Sequence, residues 1–154
     1  AQHVRDGLGD RIAMLLDGGR TTVGIESTVL SLAGSAAVLL RPGMVTRQQI
    51  EEVIGPIQVL GPVAEGAHAS PGLHHRHYSP KTPLMLIQAG ESAPIGNGIV
   101  IEMPADPRAY AAVLYERLHA ADGQGWDWIA IEQPPSGEEW AAIRDRLDRA
   151  AYRS

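Results

Sequence analysis

The sequence predicts an α/β protein made of two unlike layers joined by an extended connector, and three observations carry that expectation. Beyond residue 84, short apolar runs suited to strands alternate with helical patterns, the mark of a small parallel α/β layer. Before residue 60 the strand-like runs lie close together, as a hairpin followed by a capped helix. Between the two, residues 70–83 read SPGLHHRHYSPKTP, with Pro71, Pro80 and Pro83 and no apolar period that would make a helix or a strand. Each X-Pro pair pushes the preceding residue towards extended conformations, so this is a semi-rigid connector that presents His74, His75, Arg76, His77, Tyr78 and Lys81 in fixed order.

Taken from the start, residues 2–7 suit a short helix, with a turn at Gly9-Asp10. The apolar run 12–16, closed by Asp17-Gly18-Gly19, reads as a buried strand. After Gly24-Ile25-Glu26-Ser27-Thr28, the runs 29–32 and 36–40 flank a turn at Gly34-Ser35 and predict a β-hairpin. Its far strand runs into Arg41-Pro42-Gly43. Thr46 with Gln49 then has capping-box spacing for a helix that Gly55-Pro56 stops after Ile54, and a short strand, 57–60, follows. Beyond the connector, strands are expected at 84–87, 99–102 and 128–131. Asp106-Pro107 opens a helix to about Ala121 whose buried stripe is Tyr110, Leu114, Leu118 and Ala121. Ser136 with Glu139 makes a second capping box before a last helix carrying Trp140, Ile143, Leu147 and Ala150. Units are therefore expected at 1–60 and 84–154, with 61–83 as linker.

Composition narrows the function classes. A chain of 154 residues, 44% apolar and 20% charged, is globular rather than disordered, and no apolar run approaches the ~20 residues that span a membrane. Ala1 opens neither a signal-peptide pattern nor a Met start, so part of the natural N-terminus is expected to be missing. The lack of cysteine excludes disulfides, thiolate zinc sites and a cysteine nucleophile, and fits a cytoplasmic protein. A net charge of -5 argues against a general nucleic-acid binder, so any anion site is local.

Three features can carry chemistry. Ser27 sits in a Gly-x-Glu-Ser-Thr turn entering a strand, where its hydroxyl and nearby backbone N–H groups suit a phosphate or carboxylate. Its plainer reading is an ordinary turn serine. Arg41 ends a strand before Pro42-Gly43, so its planar five-donor fork leaves the sheet at an edge where it suits phosphate. Its plainer reading is a surface ion pair. The third feature is the connector. His74, His75 and His77 lack the HExxH or cysteine partners of a zinc site, so no protein-bound metal is expected and a solvated basic linker is the better account. Glu26, Glu51 and Glu52 do not make a carboxylate pair, since Glu51 and Glu52 are adjacent on a helix, and solvation is expected. Dinucleotide, P-loop and serine-hydrolase motifs are absent.

Taken as a set, Thr21 to Val29 (TTVGIESTV), Leu40-Arg41-Pro42-Gly43, Ser70-Pro71-Gly72, His77-Tyr78-Ser79-Pro80 and Thr82-Pro83 resemble the two-domain threonylcarbamoyl-AMP synthases in order and spacing. The last two helical stretches, around 114–118 and 142–151, resemble that family's C-terminal domain. The resemblance implies a partial YrdC-like twisted α/β sheet at 1–60 and a small Rossmann-like parallel α/β domain at 84–154. It implies a nucleotidyltransferase that makes threonylcarbamoyl-adenylate and pyrophosphate from L-threonine, bicarbonate and ATP, with Mg2+ accompanying ATP and tRNA served only indirectly. By resemblance Ser27 contacts threonine or the adenylate, and Arg41 and Tyr78 are nucleotide-binding, Arg41 at the phosphate and Tyr78 by reaching back from the linker to close the cavity. The family's N-terminal half, with its lysine- and arginine-containing motif, is not in this sequence, so the chain alone is expected to be inactive. The alternative is a nucleotide- or protein-binding regulatory module without activity of its own.

Overall fold

The computed structural model describes residues 1–60 and 79–151, which hold two three-stranded sheets. The chain opens with α1, Gln2–Leu8, and a 3-10 turn, Gly9–Arg11, neither of which buries a residue. The strand expected at 12–16 does not form. Met14 and Leu16 are 74% and 83% exposed on an unpaired stretch, because an apolar run becomes a strand only where a neighbour takes its backbone hydrogen bonds.

The hairpin is present. β1, Val29–Ser31, pairs antiparallel with β2, Val38–Arg41, with an irregularity between Val29 and Leu30. Then comes α2, Arg47–Ile54. The Thr46 hydroxyl accepts from the Gln49 N–H while the Gln49 side chain accepts from the Thr46 N–H, which satisfies two otherwise orphaned donors. Gly55, at φ 84°, ends the helix as expected. α2 carries the chain across so that β3, Gln58–Val59, lies parallel to β2.

The second sheet is parallel throughout, as the alternating pattern requires. β4, Leu84–Ile87, and β5, Gly98–Ile101, flank β6, Trp128–Glu132. α3, Pro107–Ala121, crosses from β5 to β6, and α4, Ala141–Ala151, follows. Asp106 accepts from the Ala109 N–H, with Pro107 set at the first turn where its missing N–H costs nothing. The expected stripe of α3 is buried, and it meets Ile129 and Ile131 of β6 and Ile143 and Leu147 of α4 in one core. Each of these larger side chains contributes roughly 1.5–3 kcal/mol by leaving water. The capping box expected of Ser136 and Glu139 is not formed. A 3-10 turn, Glu138–Trp140, with Gly137 at its cap, takes up the first hydrogen bonds and moves the α-helical start to Ala141.

Candidate functional site

Ser27 and Arg41, singled out separately, meet at one corner of the first sheet. Arg41 ends β2 opposite Val29, and its Nε donates to the Ser27 carbonyl at 3.1 Å. Gly43 lies so close behind this corner that a Cβ would collide with the backbone of Ser27 and Thr28. The glycine of the Arg-Pro-Gly motif is thus required by close approach rather than by an unusual φ. Thr28 Oγ1 donates to the Val45 carbonyl at 2.7 Å, which holds the far side of the motif. Ser27 itself is exposed.

The residue before Ser27 faces the other way. The Glu26 carboxylate accepts from Arg146 Nε at 2.5 Å and from the Tyr115 hydroxyl at 3.2 Å, and Arg146 Nη2 reaches the Glu26 carbonyl at 3.4 Å. Arg146 is 5% exposed. Its Nη1 donates to Asp145 at 2.6 Å, and Arg149 in turn pairs with Asp145 at 2.8 Å. Burial pushes the Glu26 carboxyl up, but the Arg146 guanidinium and the Tyr115 hydroxyl outweigh it and hold Glu26 below the ordinary carboxylate range. Burial likewise pulls Arg146 down, and Glu26 and Asp145 more than restore it. Glu26 is therefore not a solvated carboxylate. Glu51 stays at the surface, where it accepts from Arg47 and from the Ile57 N–H. Arg146 and Tyr115 belong to none of the motifs that mark the site in the sequence, although one signal points to Arg146. Arg146 falls between Ile143 and Leu147 on the buried face of α4, and a guanidinium in an apolar stripe requires a buried carboxylate partner.

The connector's exit is fastened to the same helices. Asp122, at the C-cap of α3, accepts from the backbone N–H groups of Lys81 and Thr82 at 3.0 and 2.9 Å, and the Ser79 hydroxyl donates to the Arg149 carbonyl at 3.3 Å. Tyr78, with His74, His75 and His77, lies outside the described residues. An open groove of about 1420 Å³ runs beside this exit, with Arg20, Glu26, Lys81, Tyr115 and His119 in its walls. Neither Ser27 nor Arg41 lines it, so the groove and the Ser27 corner are separate features. Among the described residues no group of three or more His, Asp or Glu side chains could hold a metal ion, and no helix is long and apolar enough to cross a membrane.

Comparison with known proteins gives consistent matches. Residues 45–152 match the family model described as threonylcarbamoyl-AMP synthase, C-terminal domain. The threonylcarbamoyl-AMP synthase of Bacillus subtilis (strain 168) is 34% identical over 180 aligned residues, which takes in 98% of this chain and 52% of the relative. The Pyrococcus abyssi threonylcarbamoyl-AMP synthase is 39% identical over 92 residues, covering 57% of this chain and 27% of the relative. The crystal structure of P. abyssi Sua5 complexed with L-threonine superposes with a TM-score of 0.82 at 28% identity, covering 98% of this chain and 53% of that one. The chain thus spans about half the length of the B. subtilis protein and of the Sua5 structure.

Proposed function

We propose, starting from the fact that the chain belongs to the threonylcarbamoyl-AMP synthase C-terminal domain family, that it serves as the C-terminal portion of an L-threonylcarbamoyladenylate synthase. The reaction would join L-threonine, bicarbonate and ATP into threonylcarbamoyl-AMP with release of pyrophosphate and water, and would supply tRNA modification in the cytoplasm. The observation that carries this reading is the Arg41–Ser27 contact, which joins two motif residues from separate segments at one exposed corner. The solved relative bound to L-threonine has the same fold over nearly the whole chain.

In this reading Ser27 offers its hydroxyl and N–H to threonine or to the adenylate. Arg41 places a fixed cation beside the triphosphate, whose Mg2+ would arrive with the nucleotide. Tyr78 covers the site and keeps water from a mixed carbamoyl–phosphate anhydride that would hydrolyse readily. Ser79, next in the chain, is anchored to α4 by its bond to the Arg149 carbonyl. The remaining charge for ATP and threonine comes from the N-terminal portion that the relatives carry, so residues 1–154 alone should show no turnover. The apolar side chains exposed on residues 1–60 are the surface that this portion would cover.

Pyrophosphate release by the full-length synthase, with threonine and bicarbonate present, tests the assignment. Arg41→Ala should weaken ATP binding by about ten- to a hundredfold through loss of a charge-assisted bond. Tyr78→Ala should leave ATP affinity within about threefold and raise the ratio of free AMP to threonylcarbamoyl-AMP. Robust turnover by residues 1–154 alone, or unchanged ATP affinity in Arg41→Ala, would overturn it.

A further inference from the structure

Ser27 is held from both sides, and the two holds come from different layers of the molecule. On its C-terminal side Arg41 takes the Ser27 carbonyl. On its N-terminal side Arg146 takes the Glu26 carbonyl and the Glu26 carboxylate together. A peptide unit is planar, so fixing the carbonyl of Glu26 fixes the direction of the Ser27 N–H, and fixing the carbonyl of Ser27 fixes the next plane. Two guanidinium groups therefore bracket the φ and ψ of one residue.

The grip on the N-terminal side extends over three residues. Gly24, at φ 77°, lies against α3 so closely that a Cβ would collide with the backbone of Ala111 and Ala112. Ile25 is buried in the core shared with Leu114, Leu118, Ile143 and Leu147. Glu26 then meets Arg146 and Tyr115. Packing alone would be served as well by an apolar residue at position 146, because a buried ion pair returns little net stability after desolvation. What the guanidinium adds is direction, since its fork binds a side chain and a carbonyl at once.

We propose that Arg146 is a positioning residue for the substrate corner: through Glu26, α4 sets the orientation of the Ser27 peptide. The inference rests on the synthase reading for its consequence in catalysis, while the clamp itself can be tested without it. In the full-length synthase, Arg146→Met and Glu26→Gln should each lower kcat by about ten- to a hundredfold, the scale of a misplaced reacting group. The KM for ATP should stay within about threefold, and Arg146→Lys should recover only part of the loss because an ammonium lacks the fork. Ile87→Ala, on the far face of the second sheet, is the control for lowered stability and should keep kcat at temperatures below its melting point. In residues 1–154, amide hydrogen exchange at Ser27 and Thr28 should quicken at least about tenfold in Glu26→Gln and in Arg146→Met but not in Ile87→Ala. Unchanged exchange overturns the clamp. Faster exchange with wild-type kcat overturns the positioning role, and a wild-type enzyme that forms no pyrophosphate overturns the synthase reading while the exchange result still decides the clamp.

Discussion

Residues 1–60 and 79–151 are of similar length but bury their apolar side chains to very different degrees. In the first stretch only Ile25, Leu39 and Ile57 are buried apolar residues, and Ile25 belongs to the other layer's core. In the second, fifteen-residue α3 and eleven-residue α4 close over a parallel sheet whose central strand is buried from Trp128 to Ile131. The first stretch leaves Met14, Leu16, Leu32 and Val53 at least 70% exposed. Its strands have three, four and two residues, too few to form a core of their own. The stretch carrying Ser27 and Arg41 thus has little core of its own, and its residues 24–26 are packed against α3 and α4.

Cutting the same side chain in each stretch should give very different losses of stability. Leu147→Ala removes a fully buried side chain and should lower unfolding stability by about 3 kcal/mol, whereas Leu32→Ala, 70% exposed, should stay within about 0.5 kcal/mol. Denaturant midpoints of the two variants measure this, and equal losses would mean the first stretch has a core of its own. A smaller effect separates two glycines of similar φ. Gly24→Ala should cost about 2 kcal/mol, because strain adds to a collision with α3, while Gly55→Ala meets open space and should cost about 1 kcal/mol. Thermal melts that rank them the other way would show that the Gly24 contact is dispensable.

The smallest expected effect is on pH dependence and sharpens the link between the stretches. Glu26 is held below its usual range by Arg146 and Tyr115 against the opposing pull of burial, so the unfolded chain binds its proton more readily. Its contribution is present above the unfolded pKa of about 4.3 and is lost as pH falls through the lower folded value. The melting temperature should therefore drop as pH is taken from about 5 to about 3, and Glu26→Gln should flatten part of that slope. Asp122, lowered by the Lys81 and Thr82 N–H groups against its own burial, supplies a further part that remains in the variant. An identical slope in Glu26→Gln would detach Glu26 from the balance.

Local chemistry was legible in the sequence wherever it decides structure by itself. The Thr46 and Asp106 caps, the hairpin and the α3 stripe follow from spacing, because each needs only neighbours within a few residues. The 12–16 run misled because apolarity shows what can be buried, not whether a partner strand is there. Ser136 misled because a 3-10 turn competes for the same first donors as a capping box. At the site, Ser27 and Arg41 were legible as motif residues, but their contact was not. Arg146 was hidden in a different way, since its partner lies 120 positions away and only its place on the apolar face of α4 betrays it.

That separation of 120 residues also has a consequence in time. A ribosome adds roughly 5–20 residues per second, so Glu26 waits roughly 6 to 24 s after its own synthesis before Arg146 exists to meet it. The corner around Ser27 is made early and set late. A nascent chain halted between Arg41 and α4 would carry both motif residues and still lack the guanidinium that holds Glu26, so completion of the last helix is the event that finishes the Ser27 corner.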